Sequence, residues 1–375
     1  MERRKFLAVG AAGTFAMTCI GGIWHVTRSP EKALQPWRVA EQRSGDIRVD
    51  AFRYAILAPN PHNRQPWLIR LVDETKALLY CDLDKRLPQT DPFDRQTVIG
   101  FGTFIEIARI AAAEMGFNLK VVPFPEGEPQ PRLDTKPIAA LEFSADPEVQ
   151  RDKLFPTILK RRSNKGNYDL TRRLPSDVAR IVNEPDGISD DPDLVRRVRK
   201  IVTSSMLLEM DIERTHRESV NLMRIGRSAI DQNPDGIAIQ GPTVEALALT
   251  GFLDKNALAD PASEAFKSGR AMMIESHNSI PSIFWIKTPG NSRIDQLEAG
   301  RRYVRANLNA TALGIAMHPM SQSLQEYPEM EPQFRSVHAT LGAQNGERIQ
   351  MLARLGYAVP VDPSPRWPLE KHISR

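Results

Sequence analysis

At 375 residues, 41% apolar and 26% charged, the chain can bury one large core or two domains and has the composition of a soluble globular protein. Its net charge of +4 sits mostly at the start, where Arg3, Arg4, Lys5 and Arg28 stand against Glu2. The remainder is nearly neutral and has no basic stripe interleaved with aromatics, which argues against nucleic acid as a partner. The two cysteines, Cys19 and Cys81, are too few for a disulfide framework.

In chain order, Arg3-Arg4-Lys5-Phe6-Leu7 precedes an uncharged, small and apolar run from Ala8 to Val26. A basic head before an apolar stretch is the pattern of an export signal, and paired arginines followed by Phe and Leu look like a twin-arginine signal. Residues 1–28 are therefore expected to direct export to the periplasm through the twin-arginine translocase. The run is nearly long enough to span a bilayer, so a membrane anchor on the outer side of the inner membrane stays open. Residues 29–47 are polar and without period, and read as a linker.

From Arg48 a short helix leads to Ala58, where Pro59-Asn60-Pro61 stops it. Trp67–Val72 and Ala77–Asp82 read as a hairpin turning at Asp73-Glu74-Thr75, with Cys81 a buried thiol. Pro88–Asp94 is a loop. Arg95–Met115 is too apolar for a single stripe and predicts a central buried helix, capped by Gly116. Asn118–Pro123 and Ile138–Phe143 read as strands around a proline-rich loop, residues 124–137.

The order recurs: a strand at Ile283–Lys287, a loop at Asn291–Asp295, a helix at Gln296–Leu313, its cap Gly314, and a strand at Ile315–His318. Helix, glycine, strand and proline over 109–123 parallel 306–319, a weak repeat by identity and a consistent one by pattern. Residues 225–282 fit neither repeat. As an insertion they suit either a lid or substrate wall or helix packing between the units.

Two short segments carry chemistry. Arg161-Arg162-Ser163-Asn164-Lys165 gathers three cations and a hydroxyl, which suits a phosphate because guanidinium groups grip its oxygens with charge-assisted bonds. Ala58-Pro59-Asn60-Pro61-His62-Asn63-Arg64-Gln65-Pro66-Trp67 sets the amides of Asn63 and Gln65 beside a proline-fixed turn. Amides donate and accept, so they can read the edge of a polar heterocycle. Taken alone, the first is also what a solvated basic face looks like. The histidines have no metal-ligand spacing, and no metal is expected.

Together the two segments resemble the flavin-dependent nitroreductase family, which carries an Arg-Arg/His-Ser-x-Arg/Lys phosphate motif and an Asn-x-Gln-Pro-Trp ring motif. The resemblance implies an α+β fold and FMN as cofactor. It implies that Arg161, Arg162, Ser163 and Lys165 meet the phosphate and ribityl chain, while Asn63 and Gln65 meet the ring. Asn60 and Pro61 stand where the family often has hydroxyl residues beside the flavin. Pro319-Met320-Ser321-Gln322 matches a Pro-Ile-Glu-Gly turn whose backbone N–H groups face flavin N5. Arg366 matches a late basic residue that reaches the phosphate. His62 and His318 fall within these motifs as possible proton donors or structural hydrogen-bonding groups.

Nitroreductases are usually homodimers binding flavin across the subunit interface. The repeat implies two such units, 48–150 and 151–375, fused into a pseudo-dimer with one complete site. The implied activity is transfer of hydride or electrons through FMN, from a small-molecule donor, to a small electrophile of the quinone or nitro-aromatic class. Storage or sequestering of FMN without turnover is the alternative.

Overall fold

A computed structural model describes residues 29–175, 178 and 186–374. The expected export segment, residues 1–28, lies outside the described residues. Among the described residues, no helix is long and apolar enough to cross a membrane.

The fold is α+β. Helices α1 (Glu31–Val39) and α2 (Ile47–Ala55) lead to the hairpin β1 (Trp67–Leu71) and β2 (Lys76–Cys81). Then come α3 (Arg95–Glu114), β3 (Phe117–Pro123) and β4 (Ala139–Ala145). The second half holds β5 (Gly187–Ser189), α4 (Pro192–Asp211), α5 (Glu213–Leu222), β6 (Met223–Ile225), α6 (Gly226–Gln232) and β7 (Ile237–Ile239). It continues through α7 (Pro242–Leu249), α8 (Lys255–Ala259), α9 (Glu264–Asn278), β8 (Ser282–Thr288), α10 (Arg293–Ala312) and β9 (Ala316–Pro319). Helix α11 (Glu331–Thr340), β10 (Arg348–Gly356) and β11 (Ile373–Ser374) complete it.

One sheet has the order β11-β1-β2-β4-β3 and another β5-β8-β10-β9, so four strands in each share one order. In both, the first two strands pair antiparallel and the third in sequence sits at the edge, antiparallel to the fourth. Each sheet sends one 20-residue helix, α3 or α10, into the centre of the molecule. Their positions correspond 198 residues apart: Arg95 with Arg293, Gly102 with Gly300, and the capping Gly116 with Gly314.

The two helices touch backbone to backbone. A Cβ on Gly102 would lie 2.0 Å from the Leu297 carbonyl oxygen, and one on Gly300 would lie 2.0 Å from the Ile99 carbonyl oxygen. Only glycine allows that approach. Under α3, Phe52, Phe104, Phe143 and Trp67 form a buried aromatic cluster with centroids 5.0–5.9 Å apart. Each such ring contributes about 2–3 kcal/mol of burial, which anchors the chain just after the Asn63 segment.

Three boundaries differ from expectation. Residues 29–47 contain α1, which buries Ala33, Leu34 and Trp37. It escaped notice because Pro36 interrupts a nine-residue pattern whose partners lie far off in sequence. The helix read as Arg48–Ala58 ends at Ala55, and a further turn carries the chain to Ala58. The division at 150/151 is crossed from the far end, because β11 pairs in parallel with β1. The C-terminal segment thus belongs to the first sheet.

Candidate functional site

The Arg161 segment and the Asn63 segment meet. Arg161 leaves a 3-10 turn, Phe155–Lys160, in an extended conformation and is buried. Its Nη1 donates to Asn307 Oδ1 on α10 at 3.2 Å and its Nη2 to the Leu57 carbonyl at 3.3 Å. Arg366 Nη2 donates to the same Leu57 carbonyl at 3.1 Å and to Ala58 at 3.0 Å, while its Nε donates to Ile56 at 2.9 Å. These carbonyls close α2, so Arg366 caps that helix C-terminus. It also donates to the Asn63 side-chain oxygen, linking the two segments.

Arg162 is half-buried and bonds the Leu159 and Arg161 carbonyls at 2.8 and 2.7 Å. Among the described residues, none of Arg161, Arg162 and Arg366 forms an ion pair. Asp362 is the one carboxylate whose field reaches Arg162. Burial pushes Arg161 down to about 10, and burial with two cationic neighbours holds Arg366 well below the usual arginine range. A group so placed is an arginine short of negative charge.

Buried polar atoms without a partner lie along the same wall: Arg161 Nε, Tyr303 Oη and His318 Nδ1. Tyr303 stands one helical turn before Asn307 on α10, so both side chains face Arg161. Native interiors leave few such atoms unpaired. An anion or a polar ligand with several acceptors satisfies the set.

Ser163 is half-buried, and Asn164 N donates to the Met317 carbonyl of β9 at 3.1 Å. That bond lays the Arg161 segment along β9 and brings Lys165 beside His318. Arg354 fixes the turn by donating to the Lys165 and Gly166 carbonyls, both at 3.0 Å. Lys165 is exposed, and the protein atoms around it lower its pKa by desolvation. Burial, then Lys165 and Arg64, brings His62 down to about 4; burial, then Arg354 and Lys165, lowers His318. Both imidazoles are neutral at pH 7.

The ring-motif amides are engaged with protein. Asn63 Nδ2 donates to the Pro234 and Pro365 carbonyls at 3.0 and 3.1 Å. Gln65 Nε2 donates to Pro234 at 2.9 Å, and Gln65 Oε1 accepts from Trp367 N at 2.9 Å. Residues 234–236 therefore dock on the motif, with Gly236 N donating to the Asn63 carbonyl at 3.1 Å. Asp235, buried between them, pairs with Arg64 at 3.3 Å, Arg224 at 3.0 Å and Lys85. The 225–282 insertion thus grips the motif through one turn, a contact that no local pattern announces.

Pro61 packs over α3, where a Cβ on Gly100 would lie 3.3 Å from its ring. On the opposite side, Met320 N is spent on the Leu352 carbonyl at 2.7 Å. Ser321 and Gln322 open the 3-10 turn Gln322–Leu324, whose first N–H groups point outward from the turn. Trp37, Tyr303 and Asn307 join the site without having been foreseen. Only the i, i+4 spacing of the last two hinted at a shared face.

No family model matches the chain. Over 346 residues it is 26% identical to an uncharacterized protein of Mycobacterium tuberculosis, covering 86% of this chain and 91% of that one. Over 329 residues it is 25% identical to a second protein of the same organism, provisionally named an NAD(P)H nitroreductase, covering 85% and 88%. Where its curated relatives carry an activity in their names, that activity is nitroreductase. Among solved structures it overlaps an FMN-dependent nitroreductase from Mycobacterium smegmatis in complex with NADPH. That overlap has 17% identity and a TM-score of 0.34, over 58% of this chain and 94% of that one. A protein from Anabaena variabilis, provisionally named a nitroreductase, overlaps at 12% identity and a TM-score of 0.37, over 76% and 69%.

Proposed function

We propose that this chain is an FMN-dependent oxidoreductase of the nitroreductase type, acting on a small electrophile of the quinone or nitro-aromatic class. The observation that carries the proposal is the trio Arg161, Arg162 and Arg366, buried or half-buried together with no carboxylate in ion-pair contact among the described residues. Such a cluster gains most from a phosphate, with Arg161 and Arg162 as donors, while Arg366, whose five N–H groups all meet protein acceptors, adds its charge. The unpartnered Arg161 Nε and Tyr303 Oη supply further donors. FMN, when bound, would supply the redox centre that carries hydride or electrons.

The chain's own groups orient and polarise. Arg161, Arg162 and Ser163 would hold the phosphate, and Lys165 places a positive charge beside neutral His62 and His318. The amides of Ser321 and Gln322 offer donors next to β9, where Met320 is held by β10. With both histidines neutral, Lys165, together with Arg64 beside His62 and Arg354 beside His318, supplies the positive charge that would favour an electron-rich ring.

The matching strand orders of the two sheets and the 198-residue correspondence support two fused nitroreductase-like units in an intramolecular pseudo-dimer. One site then forms per chain, since the motifs it needs occur once. The test is a visible spectrum of protein from a flavin-replete host, with released cofactor identified and counted. One FMN per chain supports the proposal, and a colourless protein that refuses added FMN overturns it.

A storage or sequestering role is the second reading, favoured by one observation: Asn63 and Gln65 spend their amides on backbone rather than leaving them open. Tight retention of FMN with no reduction by any donor would be its signature. Residues 1–28 further support export through the twin-arginine translocase, to the periplasm or to an anchored position outside the inner membrane. Outside the cytoplasm a membrane quinol or another carrier would have to supply the electrons in place of NAD(P)H. Changing Arg3→Lys and Arg4→Lys together must then retain the protein in the cytoplasm, and unchanged fractionation would remove the export reading.

A further inference from the structure

Helix α1 places Trp37 against two of the three arginines. The Arg162 guanidinium carbon lies 4.8 Å from the Trp37 ring centroid and that of Arg366 lies 5.7 Å from it. The ring is fixed from several directions. Trp37 Nε1 donates to the Ser364 carbonyl at 2.8 Å, Arg366 N donates to the Ala33 carbonyl at 2.8 Å, and Ala33 N donates to Asp231 Oδ1 at 3.0 Å. Trp37 is buried, and its helix is wedged between the C-terminal segment and α6.

We propose that Trp37 is a positioning residue of the anion site, its π face holding the Arg162 and Arg366 guanidiniums in place while leaving their charge unneutralised. This rests on the FMN reading above and deepens it. Crowded guanidiniums repel one another, and a fold can steady them with a carboxylate or with an aromatic face. A carboxylate would pair with them and compete with any incoming phosphate. The face of an indole attracts a cation through its quadrupole, yet carries no charge of its own to displace. Among the described residues this site has the indole and no paired carboxylate, which is the arrangement expected of a cluster kept ready for an anion. Helix α1, the first described element, is therefore part of the site and not a tether to it.

The test compares Trp37→Phe, which keeps a π face, with Trp37→Leu, which keeps apolar bulk alone. In purified full-length protein, FMN affinity is read from quenching of flavin fluorescence. The rise in Tm on adding inorganic phosphate reports the anion site without the flavin ring. The expected result is a dissociation constant for FMN about tenfold higher in Trp37→Leu. Phosphate protection should shrink in the same variant, while Trp37→Phe stays within about threefold of wild type. A purely packing role would weaken both variants alike, or neither, and either result overturns the proposal. If Trp37→Leu fails to fold, fluorinated tryptophan carries the test, since it keeps the shape and drains the face of electron density. Among the described residues no other tryptophan faces a cation. Affinity must then fall with each added fluorine, and constant affinity would overturn the proposal. Wild-type protein that takes neither FMN nor phosphate would instead overturn the cofactor reading itself.

Discussion

Arg95 and Arg293 open their two central helices at the same position, and each sends its guanidinium into the other half of the chain. Arg95 donates to the Leu324 and Gln350 carbonyls, both at 2.8 Å, and pairs with Glu326 at 3.1 Å. Arg293 donates to the Pro129 and Pro131 carbonyls at 3.0 Å and to Phe93 at 2.8 Å. In each case the target includes the connection between the third and fourth strands of the opposite sheet. The crossing is reciprocal, as the contact of Gly102 with Gly300 is.

The tight helix contact gives the first prediction. Gly102→Ala or Gly300→Ala drives a methyl into a backbone carbonyl, which cannot step aside as a side chain can. Each should cost about 3 kcal/mol or more, at the upper end of overpacking effects. Gly269→Ala, in the interior of α9 with nothing near its Cβ, should instead stabilise by up to about 1 kcal/mol. Urea midpoints decide it, and equal stabilities for the three variants would refute the close contact.

For the anion site, Arg162→Ala removes a half-buried guanidinium that bonds only nearby carbonyls. It should lower FMN affinity about 10- to 100-fold, as for loss of a charge-assisted bond, with little change in Tm. Arg161→Ala also abandons Asn307 and Leu57, so it should lose both affinity and about 1–3 kcal/mol of stability. The double variant should be free of flavin. Full occupancy in it would move the phosphate elsewhere.

Much of this was legible from local pattern. The β1–β2 hairpin, α3 and α10 announce themselves through turn residues, apolar periodicity and capping glycines, and the structure places them within a few residues of expectation. The two chemical segments were legible because charge and amides were concentrated in short runs. What escaped has a tertiary cause. Helix α1 is stabilised by partners at 231 and 364, β11 is two residues long, and Asp235 gains meaning only against Arg64, Lys85 and Arg224. Asn63 looked free to read a ring because its backbone partners, Pro234 and Pro365, stand 171 and 302 residues away.

Asp235→Ala would leave three cations facing one another at the ring motif. Breaking a buried ion pair by removing one member costs about 3–5 kcal/mol, and the Pro234 carbonyl should withdraw from Asn63 and Gln65. Lower urea midpoints and faster FMN loss are expected together. A variant as stable as wild type would show that the turn does not hold the motif.

Glu209 sets a pH dependence. Its carboxylate accepts from Gln325 at 2.8 Å and Ser219 at 3.3 Å, and burial raises it from 4.5 to about 7. A folded-state value above the unfolded one means that the fold favours the neutral form. That contribution is complete below about 4.5 and is lost as pH rises through about 7. Stability should therefore fall from about pH 5 to about pH 8 in wild type, and more gently in Glu209→Gln. Parallel curves for the two proteins would exclude Glu209 as the source.

The return of residues 364–374 to the first sheet has a consequence for how the molecule is made. Arg366, which clasps Ile56, Leu57, Ala58 and Asn63, and β11, which edges β1, are synthesised only after the whole of the second half. The earlier half must wait, incomplete and with an open strand edge, for a piece encoded some three hundred codons later. A gene fragment ending between the two sheets would leave the first sheet without its β11 edge and without the Arg366 clasp.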